Sequence, residues 1–219
     1  DAGEGPSDGE ALALVAGAVV LLLPDGTRDV TDRLPELQPK ATRSGPADAE
    51  DLDDCLAKPM DPNPIFRGQP HAHELVCEQQ QVVRRMVFDP ATGYFYPDFR
   101  GRYVRFRDGV RKTWRPPACD GCRRVEVWWF GGSAAWGWDQ RDDFTIPSEL
   151  AKAAWKEGIA LDIENRAMPA WVLGQEARRF QQLVLDPKVD EPDLVWFYDG
   201  GNELNRQKER NGRGRGTDE

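Results

Sequence analysis

Three short apolar runs separated by helical periodicity limit the fold of this chain more than any other feature. Residues 125–130 (VEVWWF), 159–165 (IALDIEN) and 193–198 (DLVWFY) read as buried or half-buried strands. Between the first two, residues 146–157 place Pro147 in a first helical turn and Leu150 and Ala154 at helical spacing, with Gly158 as the stop. Between the last two, Leu173, Ala177, Phe180 and Val184 form one stripe of an amphipathic helix that ends near Asp186-Pro187. Strands alternating with helices predict an α/β fold with a parallel sheet covered on both faces. Its crossovers are right-handed in nearly all known cases, so the three strands predict one half of a doubly wound sheet. Ligands in such sheets sit at the carboxyl ends of the strands, and those ends are where function is expected.

The flanks are less regular. Residues 1–23 are read as an apolar leader or membrane anchor and residues 24–72 as a disordered or loop-rich linker. Residues 73–124 form a lead-in lobe, 125–205 the α/β domain and 206–219 a polar tail. In the lobe, residues 73–88 carry apolar positions compatible with a short helix ended by Asp89-Pro90, and residues 94–107 (YFYPDFRGRYVRFR) alternate aromatic and polar side chains like strands of a hairpin. The apolar run at 11–23 (ALALVAGAVVLLL) is 13 residues long, short of the roughly 20 that cross a bilayer unaided. A signal-peptide core, a short or trimmed anchor and a buried core helix are all compatible with it. The sharp stop at Pro24-Asp25-Gly26 and the polar stretch that follows favour export, so membrane association through 11–23 and an extracytoplasmic location are expected.

A net charge of -9 and a pI near 4.9 argue against nucleic acid as a partner, because such surfaces need a basic stripe. Arg206, Lys208, Arg210, Arg213 and Arg215 are interleaved with Gly, Asn and Glu and read as a solvated tail. Cys55, Cys77, Cys119 and Cys122 give an even count. The simplest of three connectivities pairs Cys55 with Cys77 and Cys119 with Cys122, and free thiols stay open. Zinc is the competing reading of Cys119-Asp120-Gly121-Cys122, but Cys55, Cys77, His71 and His73 offer no metal-ligand spacing around it. No metal and no cofactor are expected.

The first strand runs into Phe130-Gly131-Gly132-Ser133-Ala134-Ala135-Trp136-Gly137, and the third into Tyr198-Asp199-Gly200-Gly201-Asn202-Glu203. Two glycines permit a tight turn, and a serine at a helix start faces unpaired N–H groups, which suits a nucleophile whose attack creates an oxyanion. These blocks resemble those of SGNH (GDSL-like) hydrolases. FGGSAAWG is similar to the block that holds the nucleophile, and YDGGNE to the block written GxND. Asn165-Arg166-Ala167-Met168-Pro169-Ala170 stands where a glycine supplies a main-chain donor. The resemblance spans residues 125–205. It implies a three-layer α/β/α sandwich with a parallel, flavodoxin-like sheet, incomplete at its C-terminal side.

The resemblance makes Ser133 the nucleophile. Ser133 N–H, Ala170 N–H and the Asn202 amide become the oxyanion donors, with Gly131, Gly132 and Gly200 as supporting turns. Glu203 replaces the usual Asp and receives no role. The family's base and its carboxylate partner come from a DxxH block, and nothing after Asn205 resembles it. His71 and His73 precede Ser133 by about 60 residues, so the chain reads as the first part of a longer domain. The expected activity is a serine esterase working through an acyl-enzyme on a small acyl ester, for example an O-acetylated carbohydrate or lipid. An O-acyltransferase of the same fold is the near alternative, and a non-catalytic SGNH-like binding module the alternative from another class. A phosphate-binding Gly-Gly-Ser turn is disfavoured, since Arg141 is the nearest cation in sequence. The oligomeric state is left open.

Overall fold

The computed structural model describes residues 13–15, 18–21, 49–58, 66 and 68–213. Its centre is a parallel unit. Strand β8 (Arg123–Gly131) pairs in parallel with β9 (Ile159–Asn165) on one side and with β10 (Leu194–Tyr198) on the other. The spatial order is therefore second, first, third. Alternate residues of β8 enter two cores: Val127 and Trp129 pack in one with Leu150 and Ala151 of helix α4 (Ile146–Lys156), while Trp128 and Phe130 pack in the other with Phe180 and Leu183 of α5 (Leu173–Val184). From Val127 onward both faces of β8 are covered and the strand carries no charged side chain, as a central parallel strand requires, while Glu126 before it is exposed. Thr145 caps α4, its hydroxyl accepting from Ser148 N, and Pro147 occupies the first turn.

The α/β class expected from the sequence is present, but the sheet is mixed and larger than three strands. Eight strands run in the order β1-β2-β10-β8-β9-β7-β6-β5. From the lead-in segment, β5 (Phe99–Arg100), β6 (Arg105–Arg107) and β7 (Val110–Arg111) form an antiparallel meander, and β7 joins β9 through Arg111 opposite Asn165. Within residues 73–124, β7 thus lies on the free edge of β9, with β6 and β5 beyond it. On the far side, β1 (Ala13–Val15) and β2 (Ala18–Leu21) make a hairpin whose second strand pairs antiparallel with β10. The described part of the apolar run is extended rather than helical, and its remaining residues lie outside the described ones. Among the described residues no helix is long and apolar enough to cross a membrane.

Within the stretch 24–72, helix α1 (Ala49–Leu56) is joined to α2 (Ala72–Arg84) by the Cys55–Cys77 disulfide. Its sequence, AEDLDDCL, has little apolar surface, so the covalent tether and contact with α2 hold it where periodicity alone does not. The rest of 24–48, together with 59–65 and 67, lies outside the described residues. Helix α2 stops at Arg84, and β3 (Val87–Asp89) pairs with β4 (Gly93–Phe95) around an Asx turn in which Asp89 Oδ1 accepts from Ala91 N, Thr92 N and the Thr92 hydroxyl. Cys119 and Cys122 are disulfide-bonded. Beyond β10, helix α6 (Gly201–Arg213) runs well into the stretch expected to be a polar tail.

Candidate functional site

The register of the parallel unit sets Tyr198 beside Gly131, which brings the two glycine-bearing strand ends together. Strand order reverses between β8 and β10, so this is the switch point of the parallel unit. Gly131 has φ +151°, and a Cβ there would run into the Tyr198 carbonyl oxygen and the Ala135 side chain. Gly132 is more informative: a Cβ on it would meet the Asn202 side-chain amide nitrogen, with the Trp171 carbonyl oxygen 3.5 Å away. The Asn202 amide therefore lies directly over the residue before Ser133. It donates to Trp171 O at 2.6 Å, which uses one of its two N–H donors.

Ser133 is half-buried at the first position of the short helix α3 (Ser133–Trp136), where Trp136 N donates to Gly132 O at 2.9 Å. Asn165, fully buried at the end of β9, holds the other end of α3: its Nδ2 donates to Ala135 O and Trp136 O at 3.2 and 3.1 Å. Beyond it, Arg166 N and Met168 N donate to Trp129 O and Gly131 O at 2.8 and 2.9 Å, so the segment after β9 is laced to the end of β8. The Tyr94 hydroxyl donates to Pro169 O, and Trp171 Nε1 donates to Tyr94 O at 3.3 Å. The lead-in hairpin thereby shapes the turn carrying Ala170.

Ala170 is exposed, with φ +62°, a left-handed conformation that favours glycine. An alanine holds this conformation at some cost, because its Cβ crowds the following carbonyl. Ala170→Gly is expected to be neutral or to raise stability by up to about 1 kcal/mol, whereas the same change in an ordinary helix or strand costs roughly 0.5–1 kcal/mol. A urea unfolding midpoint checks it. Asp199 and Glu203 flank Asn202. Glu203 accepts from Leu173 N at 2.6 Å and from Gly200 N at 3.1 Å, which ties the start of α5 to the turn before α6. Burial pushes the Glu203 carboxyl upward, but these N–H donors take it below its ordinary range. Asp199 is pushed up to about 6 by burial, with Glu203 adding to the rise.

The candidate residues thus divide. Gly132, the Asn202 amide and the Trp171 carbonyl come together at the residue before Ser133, with Ala170 one residue before that carbonyl, and Gly200, at φ +119°, turns the chain from β10 into α6. Among the described residues no side chain hydrogen-bonds the Ser133 hydroxyl. His71 opens α2, its ring 5.8 Å from that of Tyr103, and neither histidine bonds the serine. Cys119 and Cys122 are paired with each other, and among the described residues no group of three His, Cys, Asp or Glu is placed to hold a metal ion. A shallow groove between Trp114 and Lys152, Trp155 and Lys156 of α4 shares no residue with the site.

One residue of the site came from outside the three blocks. Arg111 is fully buried, donates through Nη1 to Trp136 O and Gly137 O at 2.9 and 2.7 Å and through Nη2 to Gln140 O, and lies 4.1 Å over the Trp136 ring. Its Nε faces Asp142 Oδ1 at 3.4 Å. Burial lowers its guanidinium to about 10 although Asp142 opposes the shift, so it stays charged at neutral pH. Arg111 and Asn165 together satisfy the carbonyls at the C-terminal end of α3, the orphan acceptors that any helix leaves. Neither the family models nor the curated proteins give a match to this sequence.

Proposed function

We propose that Ser133, Ala170 and Asn202 form the acyl site of an SGNH-type serine esterase, in a three-layer α/β/α domain of flavodoxin-like strand order. The observation that carries the reading is the Asn202 amide over Gly132 at the point where strand order reverses. The second-first-third order of the parallel strands and the left-handed Ala170 support it. In this reading Ser133 Oγ attacks the acyl carbon, and the carbonyl oxygen becomes an oxyanion that accepts from Ser133 N–H, Ala170 N–H and Asn202 Nδ2. The alcohol leaves with a proton, and water then releases the acid; an acceptor hydroxyl in place of water makes the same site an acyltransferase. The substrate class is a small acyl ester, such as an O-acetylated carbohydrate or lipid.

The unpartnered Ser133 hydroxyl favours a second reading, a binding module that keeps the pocket without the chemistry. Site-resolved mass spectrometry after treatment with a fluorophosphonate separates the two. The 219-residue chain is expected to label slowly by itself and faster when imidazole is supplied as an external base, with the label on Ser133 and lost in Ser133→Ala. Labelling that imidazole does not raise, or that falls elsewhere, favours the binding module. Rapid labelling of Ser133 without imidazole would show that a base is already in place.

A further inference from the structure

Glu176 lies on the site side of α5 with no exposed surface, and neither of its carboxyl oxygens has a hydrogen-bond donor among the described residues. A buried carboxylate without donors or a counter-cation is too costly to persist, and such groups neutralise instead. The charges that act on Glu176 are both negative: Asp199 from the turn after β10 and Glu203 from α6. Cations nearby are engaged elsewhere. Arg166 pairs with Glu164 and lies over Trp128, Arg178 donates to Ala91 O, Arg179 lies over Phe95, and Arg206 reaches Gln175 and Ala170 O. From β8, Trp128 and Phe130 pack on α5, and Glu126 on the same side of the strand is exposed.

The Asp199 carboxyl is within hydrogen-bonding reach of both Glu176 and Glu203, and Asp199 Oδ2 is also buried without a donor among the described residues. Two carboxylates are both acceptors, so no bond exists between them until one carries a proton. No third group completes a metal site here among the described residues. We propose that Glu176 is a neutral carboxylic acid whose proton bonds Asp199, and that this pair is a positioning device for the turn that presents Asn202. The proton ties Glu176 of α5 to Asp199, while Glu203 ties the same segment to Leu173 N at the start of α5. The pair does not depend on the chemistry of Ser133; its consequence for Asn202 as an oxyanion donor rests on the proposed function.

Burial, then Asp199 and Glu203, push the Glu176 carboxyl up to about 9. A folded-state value above the unfolded one means that the native chain holds a proton which the unfolded chain releases. Stability from this group is fully present below the unfolded range, near 4.5, and is lost as pH rises toward the folded value. The fall is up to about tenfold in the folding equilibrium constant per pH unit within that window.

The test uses the 219-residue chain with 13C-labelled glutamate carboxyl carbons, followed by NMR against pH. One glutamate is expected to stay protonated through neutrality, to titrate near 9 and to be missing in Glu176→Gln. The Asn202 side-chain amide signals should move with the same midpoint. In Glu176→Gln, whose amide can still donate to Asp199, those signals should keep the wild-type neutral-pH position, and the melting temperature should gain several degrees on wild type between acid and alkaline pH. If every glutamate titrates in the ordinary carboxyl range, the proton is not there. If Glu176 titrates high while Asn202 does not respond, the positioning role is lost. Failure of Ser133 to label, with both NMR signatures present, would count against the esterase reading alone.

Discussion

Replacing Arg111 with Met is expected to cost roughly 3–5 kcal/mol of folding stability, the range for removing one partner of a buried ion pair. The change leaves Trp136 O, Gly137 O and Gln140 O without their donor, and Asp142 buried with Arg105 as its remaining cation, at 3.1 Å. Asp142 already sits above the ordinary carboxylate range because burial outweighs Arg111 and Arg105, so losing Arg111 drives it further upward. Lysine is no substitute at this position, because one ammonium cannot span three carbonyls and a carboxylate as the planar fork does. A urea midpoint measures the loss. A double-mutant cycle with Asp142→Asn should recover part of it, since the stranded charge is then gone. The change also frees the C-terminal end of α3, so Ser133 labelling should fall even under conditions where the variant remains folded.

Asn202→Ala is expected to slow the imidazole-assisted reaction of Ser133 by roughly a hundredfold or more, the usual loss for one oxyanion donor. Its stability cost should be modest, about 1 kcal/mol, because one hydrogen bond to Trp171 O is lost. Gly132→Ala supplies an independent route to the same result. Its Cβ would occupy the place of the Asn202 amide nitrogen, so the donor must move although it is still present. A rate loss in Asn202→Ala that Gly132→Ala does not share would mean that the amide acts from a different place. Both rates are read from the growth of the labelled Ser133 peptide with time.

The parallel unit was readable because its strands carry their burial in their side chains. IALDIEN is β9 residue for residue, and the apolar stripe of 173–184 coincides with α5. Of the antiparallel additions, β5 and β6 fall in the alternating stretch 94–107 that reads as hairpin strands. VR of β7 contains no apolar run, and an apolar stretch such as 11–23 does not distinguish strand from helix by periodicity. A local signal did exist in Asp108-Gly109, both at positive φ, which form a two-residue turn with Arg107 opposite Val110. Within the site, Ser133 and Asn202 are legible because parallel strands must end together. Arg111 looks in sequence like one more surface cation between Val110 and Lys112, and Glu176 like part of a polar helix. Their roles come from burial, which the sequence pattern around them does not announce. Glu203 is similar: as a departure from the resembled block it suggests a loss, while the structure gives it two backbone donors to hold.

The account stands most directly on which serine reacts. The chain has four, Ser7, Ser44, Ser133 and Ser148, and fluorophosphonate treatment with imidazole can be run in parallel on the folded chain and on the chain in urea. The account predicts label concentrated on Ser133 in the folded chain, lost in Ser133→Ala, and no preference among the four once the chain is unfolded. Equal labelling of Ser133 in the folded and unfolded chains, or a folded chain whose Ser133 reacts no faster than Ser44, would contradict it.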